Sequence, residues 1–320
     1  MDLYTNYKDF DGIITNILFV CSISLIIGCA QKNFTDRVVP EEKDGIYTIQ
    51  VQNQILEIDP AEGGRITSLK LNGKIFLTNN DVNNFNWGST FWPSPQSEWN
   101  WPPSAELDNK PYSVEVVDNE VIMVSQKDPG TGFVVTKKFS GNKKSGYYLL
   151  KYTITNKSDK PRKVAPWEVT RVQTNGITFF PMGKGERTGG LEPLTLEKDG
   201  IIWFDYDGDK LPLTGNRQLY SDGADGWLAQ VNGDVILVKE FKDLPLEKKA
   251  PKEGEIELFA SEATPDKSYI EIEQQGAYEK LLPGASLTWE VIWYLRALPA
   301  NVRSKVGDIS LVTYVRDLIK

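Results

Sequence analysis

Residues 87–104 read WGSTFWPSPQSEWNWPPS and hold Trp87, Trp92, Trp99 and Trp101, four of the chain's nine tryptophans, among Pro93, Pro95, Pro102 and Pro103. Each proline lacks a backbone donor and fixes its own φ, so prolines at this density predict a rigid loop rather than a central strand or a helix. Indole rings on a rigid loop suit the flat C–H faces of pyranose rings, and Gln96, Glu98 and Asn100 supply polar groups for equatorial hydroxyls. The alternative is a satellite core in which the loop buries its own tryptophans.

A second set of chemical groups lies late in the chain. In Tyr269–Gln275 strict alternation places Tyr269, Glu271, Glu273 and Gln275 on one strand face and Ile270 and Ile272 on the other. Over a ligand, Glu271 and Glu273 would be candidate catalytic carboxylates, the repulsion between them raising the pKa of one, with Gln275 beside them as a binding group. On an outer face the same pattern would be ordinary solvated carboxylates. Along Ala165–Val172, Trp167 and Arg171 share one face, where they could clamp a sugar carboxylate, while Glu168 and Thr170 take the other. Glu168 and Glu98 are further ligand-binding or acid/base candidates. Arg65, after two glycines on an early strand, reads equally as a ligand contact or an edge salt bridge.

Much other chemistry is excluded. The 320 residues include no histidine, and the only cysteines are Cys21 and Cys29, so there is no Ser-His-Asp triad, Cys-His pair or imidazole metal site. Proton transfer must fall to carboxylate, amine, phenol or hydroxyl groups. The formal charge of −8 argues against a nucleic-acid partner. Asp205, Asp207 and Asp209 alternate like the start of a calcium loop, but Lys210 stands where its glycine would be and no glutamate closes the span. The turn Ser221–Gly226 is oxygen-rich as well. Neither is assigned a metal, and no cofactor is expected.

The elements that must position these groups are almost all strands. Short runs rich in β-branched and aromatic residues recur from Tyr47 to Leu295 with turn residues between nearly every pair. Asn72-Gly73 and Asn232-Gly233 sit between such runs as hairpin turns. No internal repeat or long linker interrupts residues 45–303, which predicts one large antiparallel all-β domain. Residues 304–320 carry spacing compatible with a short C-terminal helix packed on it.

The N-terminus reads as an export signal. Ile13–Gly28 is apolar and nearly uncharged, too short for a comfortable transmembrane span. It ends in Leu25-Ile26-Ile27-Gly28-Cys29, which resembles a bacterial lipobox. Residues 1–28 are then a lipoprotein signal peptide, Cys29 the lipidated mature N-terminus, and 29–44 a polar tether. An uncleaved N-terminal anchor is the alternative. Either places the folded part outside the cytoplasm, and Ala30 after the cysteine resembles the pattern for outer-membrane sorting.

GGRITSL at 63–69 resembles the opening strand of the galactose-mutarotase-like superfamily. The tryptophan-proline loop, APWEVTRV at 165–172, DGADGWLAQ at 222–230 and YIEIEQQGAYEKLLPGASLTWEVIWYLRALP at 269–299 are similar to the DUF4380 branch of that superfamily. The resemblance implies a β-supersandwich and a carbohydrate ligand. In mutarotases it would also imply a glutamate base for the anomeric hydroxyl and a histidine acid for the ring oxygen, and this chain has no histidine to carry over.

The reading is therefore a carbohydrate-binding protein tied to the membrane through its lipid. Its alternatives are an epimerase, hydrolase or lyase working with carboxylates alone, and a structural envelope lipoprotein.

Overall fold

The computed structural model describes residues 36–320 except 100, 213, 214, 263 and 265. The signal segment, Cys29, residues 30–35 of the tether and Asn100 lie outside the described residues.

Two antiparallel sheets face one another. The first runs, edge to edge, Glu41–Lys43, Ile46–Val51, Gln54–Asp59, Arg65–Leu71, Ser89–Ser94, Arg162–Val172, Ile270–Gln275, Ile256–Ala260 and Gln218–Ser221. The second runs Thr195–Lys198, Ile201–Asp205, Ile177–Pro181, Trp227–Asn232, Val235–Phe241, Ser286–Ala297, Tyr147–Asn156, Phe133–Asn142, Glu120–Val124 and Ser113–Val117. The all-β reading holds, and the C-terminal segment forms one helix, Ile309–Leu318, started by Asp308, whose side chain accepts from the Ser310 N–H.

Alternation explains which residues fill the space between the sheets. Leu56, Ile58, Ile66, Phe91, Leu258, Ile270 and Ile272 of the first sheet meet Leu150, Tyr152, Leu237, Val291 and Trp293 of the second in one buried cluster. Val235–Phe241 is buried on both faces because Ile236 and Val238 point outward, where Leu311, Val312 and Val315 of the helix cover them. A third, smaller cluster of Trp92, Trp167 and Val169 occupies the opposite face of the first sheet.

The hydrophobic interior also contains an ion pair. Lys239 Nζ donates to Glu168 Oε1 at 2.9 Å and to Thr170 Oγ1 at 2.6 Å, and both charged side chains are fully buried. Glu168 further accepts from Tyr152 Oη, Gln274 Nε2 and Trp293 Nε1. Burial lowers the pKa of Lys239, and Glu168 opposes that shift. Glu168 is therefore a tie between the sheets on the face away from Trp167, not a ligand contact.

Ser89–Ser94 corrects the loop expectation: this part of the proline-rich segment is a buried strand at the middle of the first sheet. The ladder tolerates Pro93 because its partner across the pair is Pro166. Two facing prolines offer no N–H to each other, so they occupy a non-hydrogen-bonded pair. On their far sides the neighbouring ladders have ended, at Ser89 opposite Ile66 and at Gln275 opposite Trp167. Gly88, just before the strand, has φ of +61° and passes so close to Ile66 that a Cβ would lie 2.3 Å from its carbonyl oxygen.

Both expected hairpins form. Asn72 and Gly73 take positive φ between paired Leu71 and Lys74. In the second, Asn232 pairs with Val235, so the turn is Gly233-Asp234, one residue later than expected.

Removing one partner of the buried pair should destabilise the sandwich strongly. Lys239→Met takes the cation away from the buried Glu168 side chain, and urea unfolding should show a loss of about 3–5 kcal/mol. A loss below about 1 kcal/mol would show that the pair does not hold the sheets together.

Candidate functional site

The outer face of the first sheet is built by the odd-numbered residues of Arg162–Val172 and Ile270–Gln275 and the even-numbered ones of Ser89–Ser94. Its innermost layer is Arg171, fully buried, whose Nε donates to Glu271 Oε1 at 2.7 Å and Nη1 to Thr90 Oγ1 at 2.7 Å. The guanidinium also lies 5.0 Å from the centre of the Trp92 ring. Arg171 is thus a wall of the site, and the expected clamp for a sugar carboxylate is not open. Glu271 is spent on the same contact.

Four indoles are stacked outward from this layer. Trp92 meets Trp167, Trp101 and Trp99 edge to face, with ring centres 5.4, 5.8 and 6.0 Å away. Trp92 Nε1 donates to Asp108 Oδ1 and Trp99 Nε1 to the Pro93 carbonyl, both at 2.7 Å. Trp92 and Trp167 are buried, Trp99 is half-buried, and Trp101 keeps 50% of its surface exposed. Both loop readings are therefore partly realised: the inner rings form a small core on which the outer two stand.

Carboxylates adjoin the outer pair. Glu273 and Glu257 are directly opposite on neighbouring strands. Trp167 Nε1 donates to Glu273 Oε2 at 2.8 Å, and Gln218 Nε2 reaches both Glu257 Oε2 at 2.9 Å and Glu273 Oε1 at 3.2 Å. Gln275 Nε2 and the Gly254 N–H hold the other oxygen of Glu257, and Ser94 Oγ donates to Gln275 Oε1. Glu253 accepts from the Gln96 N–H at 2.8 Å. A pocket of about 360 Å³ opens above, lined by Gln96, Ser97, Trp99, Trp101, Gln218, Tyr220, Lys252, Glu253 and Glu257.

Burial, then the neighbouring Glu271 charge, pushes Glu273 up to about 8. Burial followed by repulsion from Glu273 and Glu253 holds Glu257 well above the carboxylate range. Tyr220 is raised in the same way, by burial and then by Glu257, Glu253 and Glu273. The cluster can keep a proton at neutral pH and present it at the pocket floor.

Among the sequence candidates, Gln96, Trp99 and Trp101 line the pocket, with Trp92, Trp167, Glu273 and Gln275 beneath it. Arg65 lies elsewhere, under the loop: Nη1 donates to the carbonyls of Phe85 and Trp87, the guanidinium is 4.8 Å from the Trp87 ring, and Asp108 is 3.6 Å away. Burial lowers its pKa to about 10. Trp87 is consumed in that contact, Glu98 is exposed outside the pocket lining, and Glu168 is between the sheets. The sequence reading missed Gln218, Tyr220, Glu253 and Glu257. Of the oxygen-rich turns, Asp207 is paired with Lys210 and Asp222 caps the N–H groups of Lys184 and Gly185.

Two apposed antiparallel sheets with this pocket on an outer face define a galactose-mutarotase-like β-sandwich. The chain belongs to the DUF4380 family, a domain of unknown function, whose model matches residues 46–296. Its fold is similar to a putative aldose 1-epimerase of Klebsiella pneumoniae at 15% identity and TM-score 0.56, covering 86% of this chain and 83% of that one. A putative aldose 1-epimerase of Escherichia coli is similar at 13% identity and TM-score 0.54, covering 79% and 99%. A TPR-domain-containing protein of Parabacteroides distasonis is similar at 14% identity and TM-score 0.54, covering 82% of this chain and 50% of that one. No curated protein matches the chain.

The raised carboxylates make a pH prediction. Between the ordinary value of 4.5 and about 8, folded Glu273 holds a proton that the unfolded chain has released. Its contribution to stability is therefore complete below 4.5 and is lost as pH rises through about 8. Glu273→Gln removes this dependence, so the melting temperature of the variant relative to the parent should rise from about pH 5 to about pH 9. A constant difference would show that Glu273 ionises freely in the folded chain.

Proposed function

We propose that this is a carbohydrate-binding protein, held in the cell envelope outside the cytoplasm by a lipid on Cys29. One observation carries the binding reading: two accessible indoles, Trp99 and Trp101, stand beside Gln96, Gln218, Glu253 and Glu257 in one pocket. Apolar ring faces and hydroxyl-bonding groups side by side are what a pyranose requires. The similar structures described as putative aldose 1-epimerases agree with a sugar ligand, although a shared fold does not by itself assign one.

A second reading, a sugar-transforming enzyme, is favoured by the proton-holding carboxylates. Glu257, with Tyr220 nearby, replaces Glu273 and Glu271 as its best acid, because it reaches the pocket while Glu273 lies beneath Gln218.

Tryptophan fluorescence against a panel of mono- and oligosaccharides tests the reading. Trp101→Ala should weaken a responding sugar by about 1–3 kcal/mol, the range for loss of an aromatic stacking platform, and leave the fold intact. Trp92→Ala removes a buried ring and should instead cost about 3–5 kcal/mol of stability. Indifference of the parent protein to every sugar would favour the structural lipoprotein. For anchoring, Cys29→Ser should abolish lipid labelling and release the protein from membranes; retention with an intact N-terminus would indicate an uncleaved anchor instead.

A further inference from the structure

The pocket's charge is one-sided. Glu253, Glu257 and Glu273 are 6%, 1% and 1% exposed, yet among the described residues none of them has an ion-pair partner. Their donors are neutral: the N–H groups of Gln96 and Gly254, the amides of Gln218 and Gln275, and the Trp167 indole. The nearest buried cation, Arg171, is committed to Glu271. Among the described residues that line the pocket, Lys252 is the one cation, and it is exposed. Elsewhere Lys239 is matched by Glu168 and Arg65 by Asp108, while Glu255 and Lys137 are buried against backbone groups away from this pocket. Buried carboxylates with no cation paired to them leave a place at the pocket that a ligand's own positive charge would fill. The walls agree, since Trp99, Trp101 and Tyr220 present electron-rich faces that attract a cation and carboxylates that repel an anion.

We propose that the pocket selects a saccharide bearing a free, protonated amine, whose ammonium is received by Glu253 and Glu257 while its ring lies against Trp99 and Trp101. This rests on the carbohydrate reading above and narrows it from sugars in general to amino sugars, against both uronates and N-acetylated sugars. The ionisable groups facing the ammonium are Glu253, Glu257, Tyr220 and Lys252, with Glu273 beneath. Because burial and mutual repulsion keep protons on Glu257 and Glu273, an incoming ammonium displaces protons, and binding releases them to solvent.

The test compares the full chain's affinity for glucosamine oligomers with free amines, the same oligomers N-acetylated, glucose oligomers and glucuronate-containing ones, by fluorescence and calorimetry. The free-amine oligomers should bind at least about tenfold more tightly than the others. Calorimetry in buffers of different ionisation enthalpy should show proton release for them alone. Glu253→Gln and Glu257→Gln, each near in shape to the parent, should erase the preference, so that free-amine and glucose oligomers bind one and the same variant within about twofold of each other. Circular dichroism verifies the fold of each, so that one failing variant leaves the other to decide. Neutral, acetylated or acidic oligomers binding as tightly as the free amines would overturn the amine inference and leave the carbohydrate reading standing. No binding by any oligomer would overturn the carbohydrate reading, and the inference with it.

Discussion

Glu168 accepts four hydrogen bonds in the middle of the sandwich, one of them from Lys239 of the facing sheet. A carboxyl group can be buried so deeply only with its hydrogen-bond partners held in place, and this sets the register of Arg162–Val172 against both its own neighbours and the opposite sheet. Side chains alternate with a period of two, so fixing Glu168 inward fixes Trp167 and Arg171 outward. Arg171 then fixes Glu271, Trp92 and Thr90, and Trp167 fixes Glu273. The pocket is assembled on these contacts, two side chains removed from the ion pair.

This hierarchy explains what could be read in the sequence. Ile270 and Ile272 against Glu271 and Glu273 disclosed the strand and its two faces, because a half-apolar strand carries its orientation in its own pattern. The tryptophan-proline segment was recognisable by density alone. Its first part escaped as a strand because the tolerance of Pro93 depends on Pro166, far away in the chain. Glu257 was missed for a related reason: a single acid within IELF looks like any outward-facing residue until Glu273 is known to lie opposite. Arg171 and Arg65 were legible as chemistry but not as spent chemistry, since their partners Glu271 and Asp108 become visible only once the chain has folded.

The site also shows how a sandwich without histidine can still handle protons. Burial and crowding of like charges change the behaviour of Glu257 and Glu273 with no new residue type. The same low-dielectric environment that makes these groups useful makes them costly, so proton affinity and marginal stability come from one arrangement.

Pro93 and Pro166 lie one pair from the end of their ladder, which closes with Ser94 opposite Ala165, where the tryptophan segment leaves the sheet. Past Ser94 that segment has no strand partner to satisfy: it makes one 3-10 turn at Gln96–Glu98 and reaches a short helical turn at Ala105–Asp108. Insertions, deletions or wholesale exchange between those points would leave the sheet's hydrogen bonding intact. The wall of the pocket that this segment builds can thus be rebuilt as a loop graft on an unchanged scaffold.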